Sequence, residues 1–134
     1  MLPKTHFMTS AIMAASLYPA FGWKVLFVMA AGTLIDADHY LLFILKKRKF
    51  NIIDAYNYFR YSNCSAILKN DIILLHTIEV LIVLAVLSLY SEIFLMATLG
   101  VLLHIILDVI YDIILYKDVK MPSLTLYFFH KFYK

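Results

Sequence analysis

The sequence predicts an all-α integral membrane protein, a four-helix bundle, and three observations carry that prediction. Hydrophobic residues fill 63 % of the 134 positions and charged residues only 16 %, well outside the balance of a water-coated domain. The apolar residues fall into four stretches. Eleven of the twelve Lys and Arg residues then collect on one side of the resulting layout.

The stretches are about 5–18, 24–45, 72–90 and 92–116, each read as a spanning helix, in one domain covering 1–134. The first ends before Pro19, Gly22 and Trp23, a turn at an interface. Lys4 and Ala20 imitate the basic region and cleavage site of a secretory signal. Thr9 and Ser10 interrupt that apolar core, and the next span follows at once. The third and fourth spans are separated by Tyr90-Ser91-Glu92 and form a tight hairpin.

Basic residues test the order. With four spans, Lys4, the six cations of the 46–71 segment and the four of the 117–134 tail share one side, leaving Lys24 on the other. The positive-inside rule makes that side cytoplasmic, so both termini are expected there, in a multi-pass protein of the cell membrane. The 46–71 segment and the tail mix aromatic rings with cations, a composition that suits the headgroup layer of membrane lipids. Nucleic acid is therefore not an expected partner. The single cysteine, Cys64, excludes an internal disulfide and a Cys-rich zinc site.

Ionisable groups inside a span are costly and normally face the bundle interior. Five of the nine acids lie within the expected spans: Asp36, Asp38, Glu79, Asp108 and Asp112. His39, His76 and His104 lie there too, with His6 at the edge of the first span. Asp36 and His39 are three apart, as are His76 and Glu79, while His104, Asp108 and Asp112 follow one helix stripe in steps of four. Asp38 points away from Asp36 on an ideal helix, so it supports the site from behind unless the helix is distorted there.

Depth adds a second pattern. Counted from the outer end of each span at ~1.5 Å per residue, His6, Asp36, Glu79 and His104 lie about 17–18 Å deep, and His39, His76 and Asp108 about 21–24 Å. The polar residues form one layer, slightly to the cytoplasmic side of the midplane. Any single histidine in a span is adequately explained as a helix-to-helix hydrogen-bonding residue, and Asp112, near the inner interface, as a solvated group. The matched depths favour a shared role.

Imidazoles and carboxylates converging from several helices are ligand chemistry for zinc, manganese or iron. The candidate metal ligands are His6, Asp36, His39, His76, Glu79, His104 and Asp108, enough for one or two divalent ions. A bound ion would lower the pKa of a water and supply a nucleophile, with Glu79 or Asp38 as general base.

The segment Leu34-Ile35-Asp36-Ala37-Asp38-His39 resembles the Pro-Asp-x-Asp-His motif of the predicted membrane-bound metal-dependent hydrolases of bacteria and archaea. His6, the stretch Leu75-His76-Thr77-Ile78-Glu79 and the stretch from Leu103-His104 to Asp108 follow in that family's order, so the resemblance covers about 1–116. Ile35 stands in place of the motif's proline, and the His-Arg pair common before the third-span histidine is missing. The resemblance implies a metal-dependent hydrolase site at His6, Asp36, Asp38, His39, His76, Glu79, His104 and Asp108. A lipid, or another membrane-associated ester or phosphoester, fits the depth of the layer as substrate. Two alternatives stay open on the same residues: a non-enzymatic metal or proton transporter, and a structural membrane protein whose polar layer zips its helices together.

Overall fold

Gly22 turns the chain back on itself at φ 56°, a left-handed backbone that glycine adopts without a Cβ penalty. The computed structural model describes residues 3–61, 73–116 and 123–125, and every regular element among them is helical. Helix α1 (Pro3–Phe21) leads into a 3-10 turn at Gly22–Val25, and α2 (Leu26–Leu34) returns along α1. Helix α1 was expected to stop before Pro19 but includes it. Only the final turn follows that proline, so the missing N–H disturbs little of the helix.

The second expected span divides in two. Helix α2 ends at Leu34, Ile35 and Asp36 form a turn, and α3 runs from Ala37 to Lys47. Arg48 ends α3 in the left-handed region at φ 53°, its N–H bonded to the Ile44 carbonyl at 2.8 Å. Helix α4 (Ile52–Tyr61) follows at once. The Asn51 side chain opens it by accepting a hydrogen bond from the Ile53 N–H at 2.9 Å.

The third expected span is also interrupted. Leu74–His76 form one 3-10 turn, Thr77 is extended at φ −82° and ψ 151°, and α5 covers only Ile78–Leu87. The fourth stretch is one helix, α6 (Glu92–Tyr116), begun by Ser91, whose Oγ accepts from the Ile93 N–H at 3.3 Å. Residues 62–72, most of the tail and Cys64 lie outside the described residues.

Helix α6 is the centre of the assembly, with α2 packed most extensively along it and α1 and α5 on either side. Gly32 and Gly100 permit the approach. A Cβ on Gly100 would run into the Val28 carbonyl oxygen, and one on Gly32 would meet Ser10 Oγ and lie 3.1 Å from the Gly100 carbonyl oxygen. Small residues at a crossing let two helix backbones approach closely. Val28 and Met96 are fully buried beside this crossing, with Ala14 and Val25. A salt bridge between Lys24 and Glu92 ties the α1–α2 turn to the start of α6.

Polar side chains are buried beside the apolar core, and large apolar side chains are also exposed. His6, Ser10, Thr77 and His104 are all at most 1 % exposed, whereas Ile12, Leu34 and Leu89 are 68 %, 65 % and 81 % exposed. Two helical stretches, Pro3–Lys47 with its internal turn and Glu92–Ile114, are long and apolar enough to cross a membrane. Helix α5, ten residues long, reaches about 15 Å, half of a ~30 Å hydrocarbon core.

Candidate metal centre

Four segments bring histidines and aspartates to one point. Helix α1 supplies His6, the α2–α3 turn supplies Asp36, Asp38 and His39, the 3-10 turn supplies His76, and α6 supplies His104 and Asp108. They form three linked groups, each with ligand atoms within 4.8 Å of one another: His6, His104 and Asp108; Asp36, His76 and His104; Asp38, His39 and His76. His104 and His76 are the shared links. These groups could hold a metal ion.

The backbone explains how the residues converge. On α6, His104 and Asp108 are one turn apart, which places Nε2 and Oδ2 at 3.2 Å. At the α2–α3 turn the His39 N–H bonds to the Asp36 carbonyl at 3.1 Å, a tighter closure than an α-helix makes. This is the distortion that admits Asp38. Its Oδ1 lies 3.2 Å from His39 Nδ1, and its Oδ2 accepts from the Leu75 N–H at 2.8 Å and meets His76 Nδ1 at 3.1 Å. Asp38 thus takes up a backbone donor that the broken third stretch would otherwise leave unpaired.

The imidazole orientations are set by their outer nitrogens. His104 Nδ1 lies 2.8 Å from the Gly32 carbonyl oxygen. A carbonyl can only accept, so Nδ1 carries a proton and Nε2 is the nitrogen turned toward the cluster. The Asp38 carboxylate holds His76 Nδ1 in the same way. The two Nε2 atoms then face each other at 3.1 Å. Asp36 Oδ1 completes this group at 3.4 Å from His104 Nε2 and 3.8 Å from His76 Nε2.

Those separations bear on whether a metal fits. Ligands at about 2.0–2.1 Å from a tetrahedral ion stand roughly 3.3 Å apart. The three edges of the central group, 3.1, 3.4 and 3.8 Å, lie around that value. His6 adds a second indication. It stacks on His104 with ring centroids 3.7 Å apart, and its buried ring nitrogens have no hydrogen-bond partner among the described residues. His6 Nε2 is nevertheless 3.2 Å from Asp108 Oδ1, in range for two ligands of one ion. The residues could hold a metal ion through nitrogen and oxygen ligands.

Glu79, expected in the same layer as ligand or base, is placed elsewhere. Its carboxylate accepts hydrogen bonds from Ser123 Oγ at 2.6 Å, Thr125 Oγ1 at 3.0 Å, and the Leu124 and Thr125 N–H groups at 3.1 Å each. The extended Thr77 is the reason, because the three-residue spacing of His76 and Glu79 shares a face only on a continuous helix. Asp38, the other expected base, has both oxygens engaged with His39, His76 and Leu75. Asp112 is in none of the three groups.

The Gly32 carbonyl was not among the residues singled out from sequence. Its signal was an isolated glycine in an apolar helix, which marks close packing. The chain matches no family model, no curated protein and no solved structure.

Proposed function

We propose that this chain is a multi-pass protein of the cell membrane with cytoplasmic termini, and that its His/Asp cluster binds one or two divalent ions for hydrolysis of a membrane-associated ester or phosphoester. The carrying observation is the pair of imidazole Nε2 atoms at 3.1 Å, each ring oriented through its Nδ1 by Gly32 or Asp38. The resemblance of residues 34–39, 75–79 and 103–108 to the predicted membrane-bound metal-dependent hydrolases supports the same reading.

His104, His76 and Asp36 would hold the central ion, with His6 and Asp108 as the set for a second. Such an ion supplies Lewis acidity and a bound water of lowered pKa. The chain's own groups do the rest. Asp36 and Asp108 are 25 % and 26 % exposed while His104 is fully buried, so a substrate would reach the cluster along its carboxylate edge. Asp36 would bind the ion through Oδ1 and take a proton from the attacking water on its other oxygen. Asp38 and Gly32 are positioning groups that hold His76 and His104.

The test is lipid turnover by the full chain reconstituted with zinc, manganese or iron in vesicles of mixed phospholipid and neutral lipid, with products read by mass spectrometry. Metal-dependent release of a lipid fragment, lost in Asp36→Asn, supports the reading. Retained metal with no product from any lipid removes it. A second reading, ion transport, is favoured by the two interrupted stretches at 35–36 and 74–77, because broken helices place ion sites in transporters. It predicts metal or proton flux across the same vesicles without turnover.

A further inference from the structure

The region between the end of α3 and α4 holds a second polar site, which shares no residue with the His/Asp cluster. A pocket of about 430 Å³ is lined by Phe43, Lys47, Lys49, Asp54, Asn57 and Tyr58. Its aromatic side is ordered: Phe43 is 3 % exposed and its ring centroid lies 5.6 Å from that of Tyr58. The Lys47 ammonium sits over the Tyr58 ring, 5.0 Å from its centroid, a cation–π contact.

The loop carrying Lys49 is fixed at both ends. The Arg48 N–H bonds to the Ile44 carbonyl at one end, and at the other Tyr40 Oη donates to the Phe50 carbonyl at 2.6 Å while Asn51 caps α4. The surroundings are apolar where a water-facing loop would be polar. Phe50, Ile52 and Ile53 are 75 %, 71 % and 70 % exposed, directly after the cationic run Lys46–Lys49. Rings and aliphatic chains beside ammonium groups match the boundary between acyl chains and phosphates.

Charge and position select the occupant. Two lysines against one aspartate leave the lining with a net positive charge, complementary to a single phosphate. Lys47 lies nine residues along α3 from Asp38, about 14 Å at helical rise, close to half of a ~30 Å hydrocarbon core. A pocket at that distance from a buried polar layer sits at headgroup level.

We propose that this pocket binds the phosphate of one anionic phospholipid, with Lys47 and Lys49 as its cationic contacts and Phe50, Ile52 and Ile53 against its acyl chains. The inference rests on the membrane reading and is independent of metal binding and hydrolysis.

The experiment is native mass spectrometry of the detergent-purified full chain titrated with phosphatidylglycerol, phosphatidylcholine or free glycerol phosphate. Wild type is expected to retain one phosphatidylglycerol saturably, and neither of the other two at the same concentrations. The double substitution Lys47→Ala and Lys49→Ala weakens retention roughly thirty-fold, the effect of two cationic contacts. Lys47→Arg with Lys49→Arg keeps it. Lys46→Ala with Arg48→Asn removes the same charge from residues outside the lining, with Asn chosen for the left-handed position 48, and keeps it as well. Equal loss in the two charge-removing pairs overturns the site in favour of diffuse attraction. Equal retention of phosphatidylcholine, or undiminished binding in the Lys47/Lys49 alanine pair, overturns it too. Metal content is measured on every variant, so failure of this site and failure of the metal reading are separate results.

Discussion

His76 and His104 point their Nε2 atoms at each other across 3.1 Å, while their Nδ1 atoms face acceptors, Asp38 Oδ2 at 3.1 Å and the Gly32 carbonyl at 2.8 Å. Both outer nitrogens are therefore donors, and the two Nε2 atoms face one point. Asp36 Oδ1 joins them there, 3.4 Å from His104 Nε2. Groups crowded in this way call for positive charge among them, a metal ion or protons on the Nε2 atoms, and metal content separates the two.

Asp38→Asn tests the support behind His76. The carboxylate meets the Leu75 N–H and His76 Nδ1 through Oδ2 and His39 Nδ1 through Oδ1, and an amide has an acceptor oxygen for only one of those two sides. Loss of such an orienting partner costs about ten- to a hundredfold in metal affinity. Competition with a chromophoric chelator is expected to show that loss, with helical content unchanged by circular dichroism. Unchanged affinity would remove Asp38 from the positioning role.

Glu79→Gln is expected to leave metal affinity intact. Its effect falls on the Ser123–Thr125 turn, whose two hydroxyls and two N–H groups the carboxylate receives. Hydrogen exchange at the Leu124 and Thr125 amides should quicken. A loss of metal in this variant would return Glu79 to the ligand set.

Gly100→Ala probes the crossing that carries the site. The added methyl meets the Val28 carbonyl, a backbone atom with no rotamer to yield. Overpacking of this kind costs about 1–3 kcal/mol, and metal affinity should fall with it, because His104 stands one turn further along α6 and bonds to the Gly32 carbonyl across the same contact. Thermal unfolding in detergent and chelator competition measure the two effects. A neutral result in both would contradict the tight α2–α6 approach.

Metal should also stabilise the fold. An ion bound only by the folded state contributes about 2.7 kcal/mol at roughly a hundred times its Kd. Removal by chelator is expected to lower the unfolding temperature, and replacement to restore it, in wild type and not in His104→Ala.

The convergence of His6, Asp36, His39, His76, His104 and Asp108 was legible because each sits at a comparable depth in an apolar stretch, and residues four apart, such as His104 and Asp108, share a face on an unbroken helix. What was hidden lies at the breaks. No proline marks the α2–α3 turn, since Ile35 stands there, so the rotation that brings Asp38 beside His39 had no local signature. Thr77 likewise carries no breaking signal, yet its extended backbone separates His76 from Glu79. Backbone acceptors leave even less trace. The Gly32 carbonyl orients His104 through a contact with 72 residues between its ends.

Metal content by elemental mass spectrometry, on detergent-purified wild type beside the His76→Ala/His104→Ala double variant, tests the central claim most directly. The expected result is one or two equivalents of zinc, manganese or iron in wild type and background levels in the variant. Background levels in both samples after reconstitution with each metal, or equal metal in both, would contradict it.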